Sequence, residues 1–452
     1  MSLSFPILLT LFLYAAIGTA QYAMANATVL VAATLVYYLA AAALVACYVS
    51  VVASVSETPT RTAWLAIVGV PVLIQIGWLA SPPILSIDAY SYLVDAAHAS
   101  AGLNPYQHAV NEAGGTALGR ALAAYGWRPS AGISPYGPVW MNLISAVGLR
   151  TRHVATAVLI VKLIACSATA LTAWLMFRTA PASCPVRTFT VFWWNPVVII
   201  EGAGEGHNDA LMVVAVVLSL WCLRRHAAVA AAAALTAAVL TKWIPAFFGP
   251  AYLAYAWRNR LITWRSVLGG AAVIAGVTGA AYWPFWAGAN TFAGLARVGG
   301  PRLVASATAG FAPILADHPT AYALVRAGAA ATMAIAVIYA AGTTRTMRDL
   351  VRACAVIALT FVLLAAPLYW PWYVVMPIAL LALAEDVPLI IVLTATSRIV
   401  APLNLLRLRG AFSLTTEIWL TTVIALWLPL VYIAWHLRRR YYPTVARTYP
   451  FG

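Results

Sequence analysis

Two short segments of this sequence carry the residue types needed for acid–base chemistry. The first, Ser86–His98, contains Asp88, followed by Tyr92 and Asp95 at positions i+4 and i+7. That spacing puts the three side chains on one face of a helix, predicted to begin near Asp88 and to end at Gly102. A carboxylate beside aromatic rings in an apolar setting can have a pKa raised toward that of a general base. The alternative is that Asp88 only caps the helix.

The second segment is the turn between two long apolar runs. Within nine residues it holds three carboxylates, an imidazole and an amide, on Glu201, Glu205, Asp209, His207 and Asn208. Helix capping accounts for one such residue and not for five, so the cluster indicates a functional site. Its glycines allow the backbone to approach a ligand closely. A metal site formed by Glu205, His207 and Asp209 is an alternative, but the spacing matches no standard ligand motif, so no metal is expected.

Lysine is rare in this chain, and the two lysines are Lys162 and Lys242. Lys242 follows an apolar run, where an ammonium could hold a phosphate as a point charge. The alternative is a lysine that extends from a helix end toward water. Lys162 lies inside an apolar run, where it either pairs with a buried carboxylate or lines a polar cavity.

Aromatic residues cluster at Tyr282–Trp286 and at Tyr369–Tyr373. Most of these rings are interpreted as a belt at the membrane–water interface. The alternative is a platform on which sugar rings stack, because tryptophan and tyrosine combine a flat apolar face with a polar group.

The composition requires a membrane setting for these segments. Of 452 residues, 63% are hydrophobic and only 9% are charged, against roughly 45–50% and about 25% in soluble domains. A soluble enzyme, a disordered chain and a nucleic-acid-binding domain are excluded. The net charge of +15 comes from arginines at the ends of apolar runs, which is not the surface patch that phosphate backbones need. Five scattered cysteines form no disulfide or metal-binding pattern.

The sequence predicts an all-α polytopic membrane protein with about fourteen spans of roughly 20 residues, one or two of them uncertain because they are short or broken by proline. No lysine or arginine precedes the first apolar run, so a helix is expected there rather than a signal peptide. The predicted spans are 4–22, 28–54, 62–81, 155–177, 188–203, 209–223, 227–242, 244–257, 266–287, 321–342, 352–368, 373–385, 388–405 and 415–436.

The arginines predict the orientation of these spans. If the spans alternate in direction, most loop arginines fall on one side, which is then cytoplasmic and holds both termini. The opposite, extracytoplasmic side holds the segment 82–154, the loop 288–320 and most of the carboxylates. Residues 137–149 are apolar but too short to span, and are expected to form a helix at the outer surface. One membrane domain, 1–452, is predicted, with no internal repeat.

The order of several short motifs resembles a known family. Asp88–Tyr92 is followed by Gly102–Tyr106 and then by the remaining motifs, which are Ser134–Trp140, Asn195–Pro196, Gly206–Ala210 and Lys242–Pro245. This pattern over roughly 85–250 resembles the polyprenol-phosphate-mannose-dependent α-(1→6)-mannopyranosyltransferases of actinobacteria, which are membrane glycosyltransferases of the GT-C class.

The resemblance implies a GT-C fold with juxtamembrane helices in the first outer loop. It also implies a polyprenyl-phosphate sugar as donor, a glycan or glycolipid as acceptor, and membrane lipids as neighbours. Asp88 would be the general base, and Lys242, with Arg302 or Arg297, would stabilise the donor phosphate. The residues expected to contact sugar or acceptor are Tyr92, Asp95, Tyr136, Glu205, His207, Asn208 and Asp209.

The expected reaction is inverting transfer, most simply of mannose into an α-1,6 linkage, with no cofactor. Glucose and arabinofuranose are alternative sugars. A transporter or flippase for a lipid-linked sugar is the alternative from another class, because polar residues at helix breaks also mark transport sites. The carboxylates collect on one side rather than at mid-membrane, which favours the enzyme.

Overall fold

The computed structural model describes residues 4–26, 29–128, 132–148, 151, 153–298 and 318–441. Within these ranges the chain is helical and has no strand, with a single isolated bridge between Ala287 and Ala289. The helices are α1 (Ser4–Asn26), α2 (Leu30–Ser54), α3 (Arg61–Leu79), α4 (Asp88–Ser100), α5 (Ala117–Ala123), α6 (Pro138–Gly148), α7 (Val154–Thr179), α8 (Pro185–Trp193), α9 (Pro196–Ile199), α10 (Asp209–Arg224), α11 (Ala228–Thr241), α12 (Gly249–Arg258), α13 (Trp264–Tyr282), α14 (Ala293–Val298), α15 (Pro319–Thr343), α16 (Met347–Thr360), α17 (Val375–Leu383), α18 (Val387–Val400), α19 (Leu403–Leu408), α20 (Leu414–Thr421) and α21 (Leu428–Tyr441).

The protein is an all-α polytopic membrane protein, as predicted. Every predicted apolar run is helical in the described residues, the first one included. Among the described residues, eight of the fourteen predicted runs form helical stretches that are long and apolar enough to cross a bilayer by length and composition. The other six runs form shorter or interrupted helices. Proline is one cause, because a residue before proline disfavours helical geometry, as at Asn195 before Pro196 inside the run 188–203.

Two of the long helices lie at the periphery of the bundle. Along α13 and α15 almost no residue of the apolar stretch is buried inside the protein. Ile338 on α15 is 72% exposed and Val31 on α2 is 75% exposed. Large apolar surfaces of this kind need lipid around them, since soluble monomers seldom expose contiguous apolar patches beyond a few hundred Å².

Hydrogen bonds join the arginine-rich loops at one end of the bundle. The Arg224 guanidinium donates to the carbonyl of Ala180 at 2.7 Å, and that of Arg258 donates to the carbonyl of Ala341 at 2.7 Å. Arg348 pairs with Glu385 at 3.2 Å. The loops predicted to be cytoplasmic therefore share one end, and the segments that carry Asp88 and Glu205 come together elsewhere.

The segment before α7 folds into short helices with a small apolar core of their own. This core includes Tyr92, Trp140 and Ile144, and is separate from the core of the main bundle. The predicted surface helix over 137–149 is α6, eleven residues long. At its end, a Cβ on Gly148 would lie 2.8 Å from the Cβ of Ala96, so glycine lets α6 rest directly on α4. Of the predicted loop 288–320, residues 299–317 lie outside the described ranges.

Candidate active site

Asp88 is the first residue of α4, and its carboxylate contacts Tyr136 instead of capping the helix. The hydroxyl of Tyr136 donates to Oδ2 of Asp88 at 3.1 Å. The residue at the cap position is Ile87, which has no capping side chain. The capping alternative for Asp88 is therefore wrong, and its carboxylate is free to act on something other than its own helix.

Glu205 holds the backbone that leads into Asp88. Its buried carboxylate accepts hydrogen bonds from the amides of Leu85, at 3.2 Å, and Ser86, at 3.1 Å, with a longer contact to Ile84. Bonds from amides to a carboxylate are stronger than those between neutral groups. In this structure Glu205 acts on the position of Asp88, because its oxygens face protein backbone rather than open space.

Asp209 and Lys242 form a buried ion pair. Nζ of Lys242 lies 2.9 Å and 2.7 Å from the two carboxylate oxygens of Asp209. The same ammonium lies 4.8 Å from the centre of the Tyr373 ring. Asp209 is at the first turn of α10, where a negative charge is favoured by the helix dipole. An ammonium has three N–H donors, so the pair leaves one available to a ligand.

The loop with Tyr136 is fastened beside this ion pair. The amide of Gly137 donates to the carbonyl of Thr241 at 3.1 Å, one residue before Lys242. A Cβ on Gly137 would lie 2.1 Å from the carbonyl oxygen of Leu240, so only glycine allows this approach. The motif over 134–140 and the end of α11 are thereby brought to one wall of the site.

His207 and Asn208 contribute buried polar atoms to the same region. The ring of His207 stacks on Trp372, with centroids 3.8 Å apart. Its Nδ1 lies 3.1 Å from Glu201, which is also ion-paired with Arg398. Burial disfavours the imidazolium, but Glu201 outweighs it and the pKa of His207 is raised. Nε2 of His207 and both amide atoms of Asn208 have no partner among the described residues, so each can form a hydrogen bond to a ligand or to water.

Two tyrosines, Tyr92 on α4 and Tyr136 just before α6, lie close to the carboxylates of the site. Burial, and then the charges of Asp88 and Asp209, raise the pKa of Tyr92 well above its usual value. Burial and Asp88 likewise raise the pKa of Tyr136. Both tyrosines therefore stay protonated at neutral pH. Asp88 and Asp209 lie in one region, because Asp88 is bound by Tyr136, whose neighbour Gly137 is bound to Thr241, next to the Lys242 that pairs with Asp209.

Other predicted residues fall outside this group. Asp95 is 1% exposed, close to Ser134 and Tyr106 and away from open space. Lys162 donates to the carbonyl of Trp78 at 2.6 Å, so it ties down the end of α3. The side chain of Arg297, and Arg302 altogether, lie outside the described residues. In the described ranges no three His, Cys, Asp or Glu side chains are arranged to hold a metal ion.

Asp95→Asn is expected to stabilise the protein more at pH 8 than at pH 5. Burial raises the pKa of Asp95 to about 7, whereas an unfolded aspartate has a pKa of about 3.9. Between these values the folded chain binds more protons, so the wild type loses stability as the pH rises from about 4 to about 7. Asparagine does not titrate, so the unfolding temperature should rise by at least about 2 °C at pH 8.

The measurement is thermal unfolding of both proteins in detergent at each pH. A difference between Asp95→Asn and wild type that is the same at pH 5 and pH 8 would contradict this origin.

Sequence reasoning missed the contribution of the C-terminal half. Trp372 and Tyr373 contact His207 and Lys242 directly, although their cluster was assigned mainly to an aromatic belt. Arg398, which pairs with Glu201, lies within the predicted run 388–405. A charged residue inside an apolar run is the signal that could have identified it, since charges inside membrane segments are costly and usually paired.

The fold and the site define a class of protein. It is a polytopic helical membrane protein whose polar site contains side-chain atoms without a hydrogen-bond partner among the described residues. Residues 11–259 match the family of the α-(1→6)-mannopyranosyltransferase N-terminal domain, and the chain belongs to this family.

Two relatives are similar over part of this chain. One is an α-(1→6)-mannopyranosyltransferase of Mycobacterium tuberculosis, 31% identical over 142 residues, which is 30% of this chain and 23% of the relative. The other is α-(1→6)-mannopyranosyltransferase A of Corynebacterium glutamicum, 30% identical over 166 residues, or 35% and 32% of the two chains. The matched part of this chain thus spans about a quarter to a third of each relative's length.

Proposed function

We propose that this chain is an inverting mannosyltransferase of the GT-C class. It would move mannose from a polyprenyl-phosphate donor into an α-1,6 linkage on a glycan or glycolipid. The observation that carries the proposal is the common site of Asp88 and Lys242, with a carboxylate oriented by Tyr136 and a cation held by Asp209. These are the two charges that the reaction needs, one for the attacking hydroxyl and one for the leaving phosphate.

In the proposed step, Asp88 accepts the proton of the acceptor hydroxyl while the oxygen of that hydroxyl attacks the anomeric carbon of the donor sugar. The bond from that carbon to the phosphate oxygen breaks, and the polyprenyl phosphate leaves as an anion. Attack from the opposite face inverts the anomeric configuration. A positioned base of this kind typically contributes about 10²–10⁴ in rate. No metal is required in this scheme, because the leaving group carries one phosphate and is stable as an anion.

Lys242 would stabilise the charge that develops on the phosphate, through the N–H not bound to Asp209. Asn208 and Nε2 of His207 would bind sugar hydroxyls, since both have unsatisfied buried polar atoms. Glu205 would act indirectly, by holding residues 84–86 so that Asp88 points at the acceptor. Arg297 and Arg302 remain predicted partners of the donor phosphate.

The site would face the extracytoplasmic side of the cell membrane, with both termini in the cytoplasm. The arginine-rich loops that share one end of the bundle support this orientation, because positively charged loops are retained on the cytoplasmic side. A lipid-linked donor fits this location, since its tail stays in the bilayer while its sugar reaches the surface.

The experiment is a transfer assay on purified protein in detergent. Short-chain polyprenyl phosphates bearing labelled mannose, glucose or arabinofuranose would each be offered with α-(1→6)-linked manno-oligosaccharides. We expect label to appear in the oligosaccharide from the mannose donor only. Absence of transfer from every donor by folded protein would overturn the proposal and leave the transporter, which needs two compartments and makes no new glycosidic bond.

A further inference from the structure

A cleft opens next to the site, on the C-terminal half of the chain. It lies between the segment 369–372, the end of α18, α19 and one face of α20. Its walls include Leu85, Glu201, Trp370, Trp372, Asn404 and Glu417. None of the mechanism described above uses Trp370, Asn404 or Glu417.

A row of stacked rings leads from the polar cluster to this cleft. His207 stacks on Trp372, and Trp372 stacks on Trp370 with centroids 5.2 Å apart and planes within 3°. Trp372 is buried, whereas Trp370 at the end of the row is only half-buried and lines the cleft. Indole rings combine a large apolar face with a polar edge, and their rigidity makes them inexpensive to order on binding.

Polar groups face the rings across the cleft in a fixed arrangement. Arg407 donates to Oδ1 of Asn404 at 2.8 Å and is ion-paired through Nε with Oε2 of Glu417. This leaves Nδ2 of Asn404 as a donor and Oε1 of Glu417 as an acceptor, with no other partner in the part of the chain described. A flat apolar wall opposite a donor and an acceptor is complementary to a sugar ring, which has apolar C–H faces and equatorial hydroxyls.

The cleft shares residues with the site that holds Asp88. Leu85 belongs to the backbone segment that Glu205 fixes ahead of Asp88, and Glu201 both lines the cleft and contacts His207. A ring bound on Trp370 would therefore be continuous with a sugar at Asp88. The family match ends at residue 259, so the residues that line this cleft opposite Leu85 and Glu201 lie outside the matched part.

We propose that this cleft binds a pyranose residue of the acceptor glycan, and that Trp370, Asn404 and Glu417 select the acceptor. The proposal rests on the transferase function proposed above. It separates two tasks along the chain, with donor handling in the family-matched half and acceptor recognition in the C-terminal half.

The first experiment measures binding, so that it does not depend on turnover. Labelled α-(1→6)-linked mannotetraose would be titrated onto the protein in lipid nanodiscs. Trp370→Ala and Asn404→Ala are each expected to weaken binding by about tenfold, as expected for the loss of one aromatic or hydrogen-bonded contact. Trp283→Ala is the matched control, because Trp283 is 85% exposed and belongs to the other aromatic cluster; it should bind as wild type.

The second experiment separates acceptor from donor in the transfer assay. Trp370→Ala and Asn404→Ala should raise the KM for the oligosaccharide and leave the KM for the polyprenyl donor unchanged. Methyl α-mannoside should compete with mannotetraose if the sugar ring alone is recognised, whereas competition by octyl α-mannoside and not by methyl α-mannoside would indicate that a glycolipid acceptor is recognised through its alkyl chain.

Each outcome decides between the two proposals. If the wild type fails to bind mannotetraose, or if either variant binds it as tightly as the wild type does, the proposal of an acceptor cleft is wrong even where transfer occurs. An increase in donor KM instead would assign the cleft to the lipid substrate and also overturn it. Specific binding without transfer from any donor would leave the cleft standing and overturn the transferase function.

Discussion

Asp88→Asn is expected to reduce mannose transfer by about 10²–10⁴-fold, the usual contribution of a positioned base. Asparagine keeps the size of the side chain and an oxygen that can accept the hydrogen bond from the Tyr136 hydroxyl, but it cannot accept the proton of the acceptor hydroxyl. Asp88→Ala should be equally inactive. The loss should fall on kcat with little change in donor KM, because a base acts in the transition state and not in ground-state binding.

The measurement is transfer of labelled mannose in detergent, with thermal unfolding recorded on the same samples. Glu112→Gln is the matched control, since Glu112 is an acidic residue of the same segment before α7, half exposed and paired, among the described residues, only with its neighbours at 108 and 109. It should retain wild-type transfer. Turnover by folded Asp88→Asn within about tenfold of wild type would exclude Asp88 as the base.

Lys242→Met is expected to lower both stability and activity, for different physical reasons. Removing the ammonium leaves the Asp209 carboxylate buried without its partner, which typically costs about 3–5 kcal/mol. It also removes the cation proposed to stabilise the leaving phosphate, so transfer should fall by about 10²–10³-fold. The unfolding temperature and the dependence of transfer on donor concentration report the two effects separately.

The double variant Lys242→Met with Asp209→Asn distinguishes the role of Lys242 in stability from its proposed role at the donor phosphate. Removing both charges leaves no unpaired buried ion, so much of the lost stability should return. The transfer activity should stay low, because the phosphate still lacks its cation. A double variant that regains both stability and transfer would show that Lys242 only neutralises Asp209, and the donor-phosphate role would then be wrong.

Local sequence patterns predicted where the helices are. An apolar run in a membrane protein must satisfy its backbone hydrogen bonds internally, and a helix does so with local contacts alone. The start of α4 at Asp88, its end near Gly102 and the short helix α6 follow from the same kind of local information. Which of the predicted spans are long and unbroken could not be predicted, because proline breaks and short turns depend on what packs around them, as at Asn195, whose side chain accepts from the Val197 amide.

The sequence by itself also determined which polar residues matter, because charges in an apolar chain are rare and each needs a reason. Only the tertiary structure decided which partner each of these residues contacts. It paired Lys242 with Asp209, turned Glu205 toward the backbone before Asp88, and placed Trp372 against His207. Each of these contacts joins residues more than 30 positions apart, and the choice among such partners depends on how the helices pack, which no local pattern records.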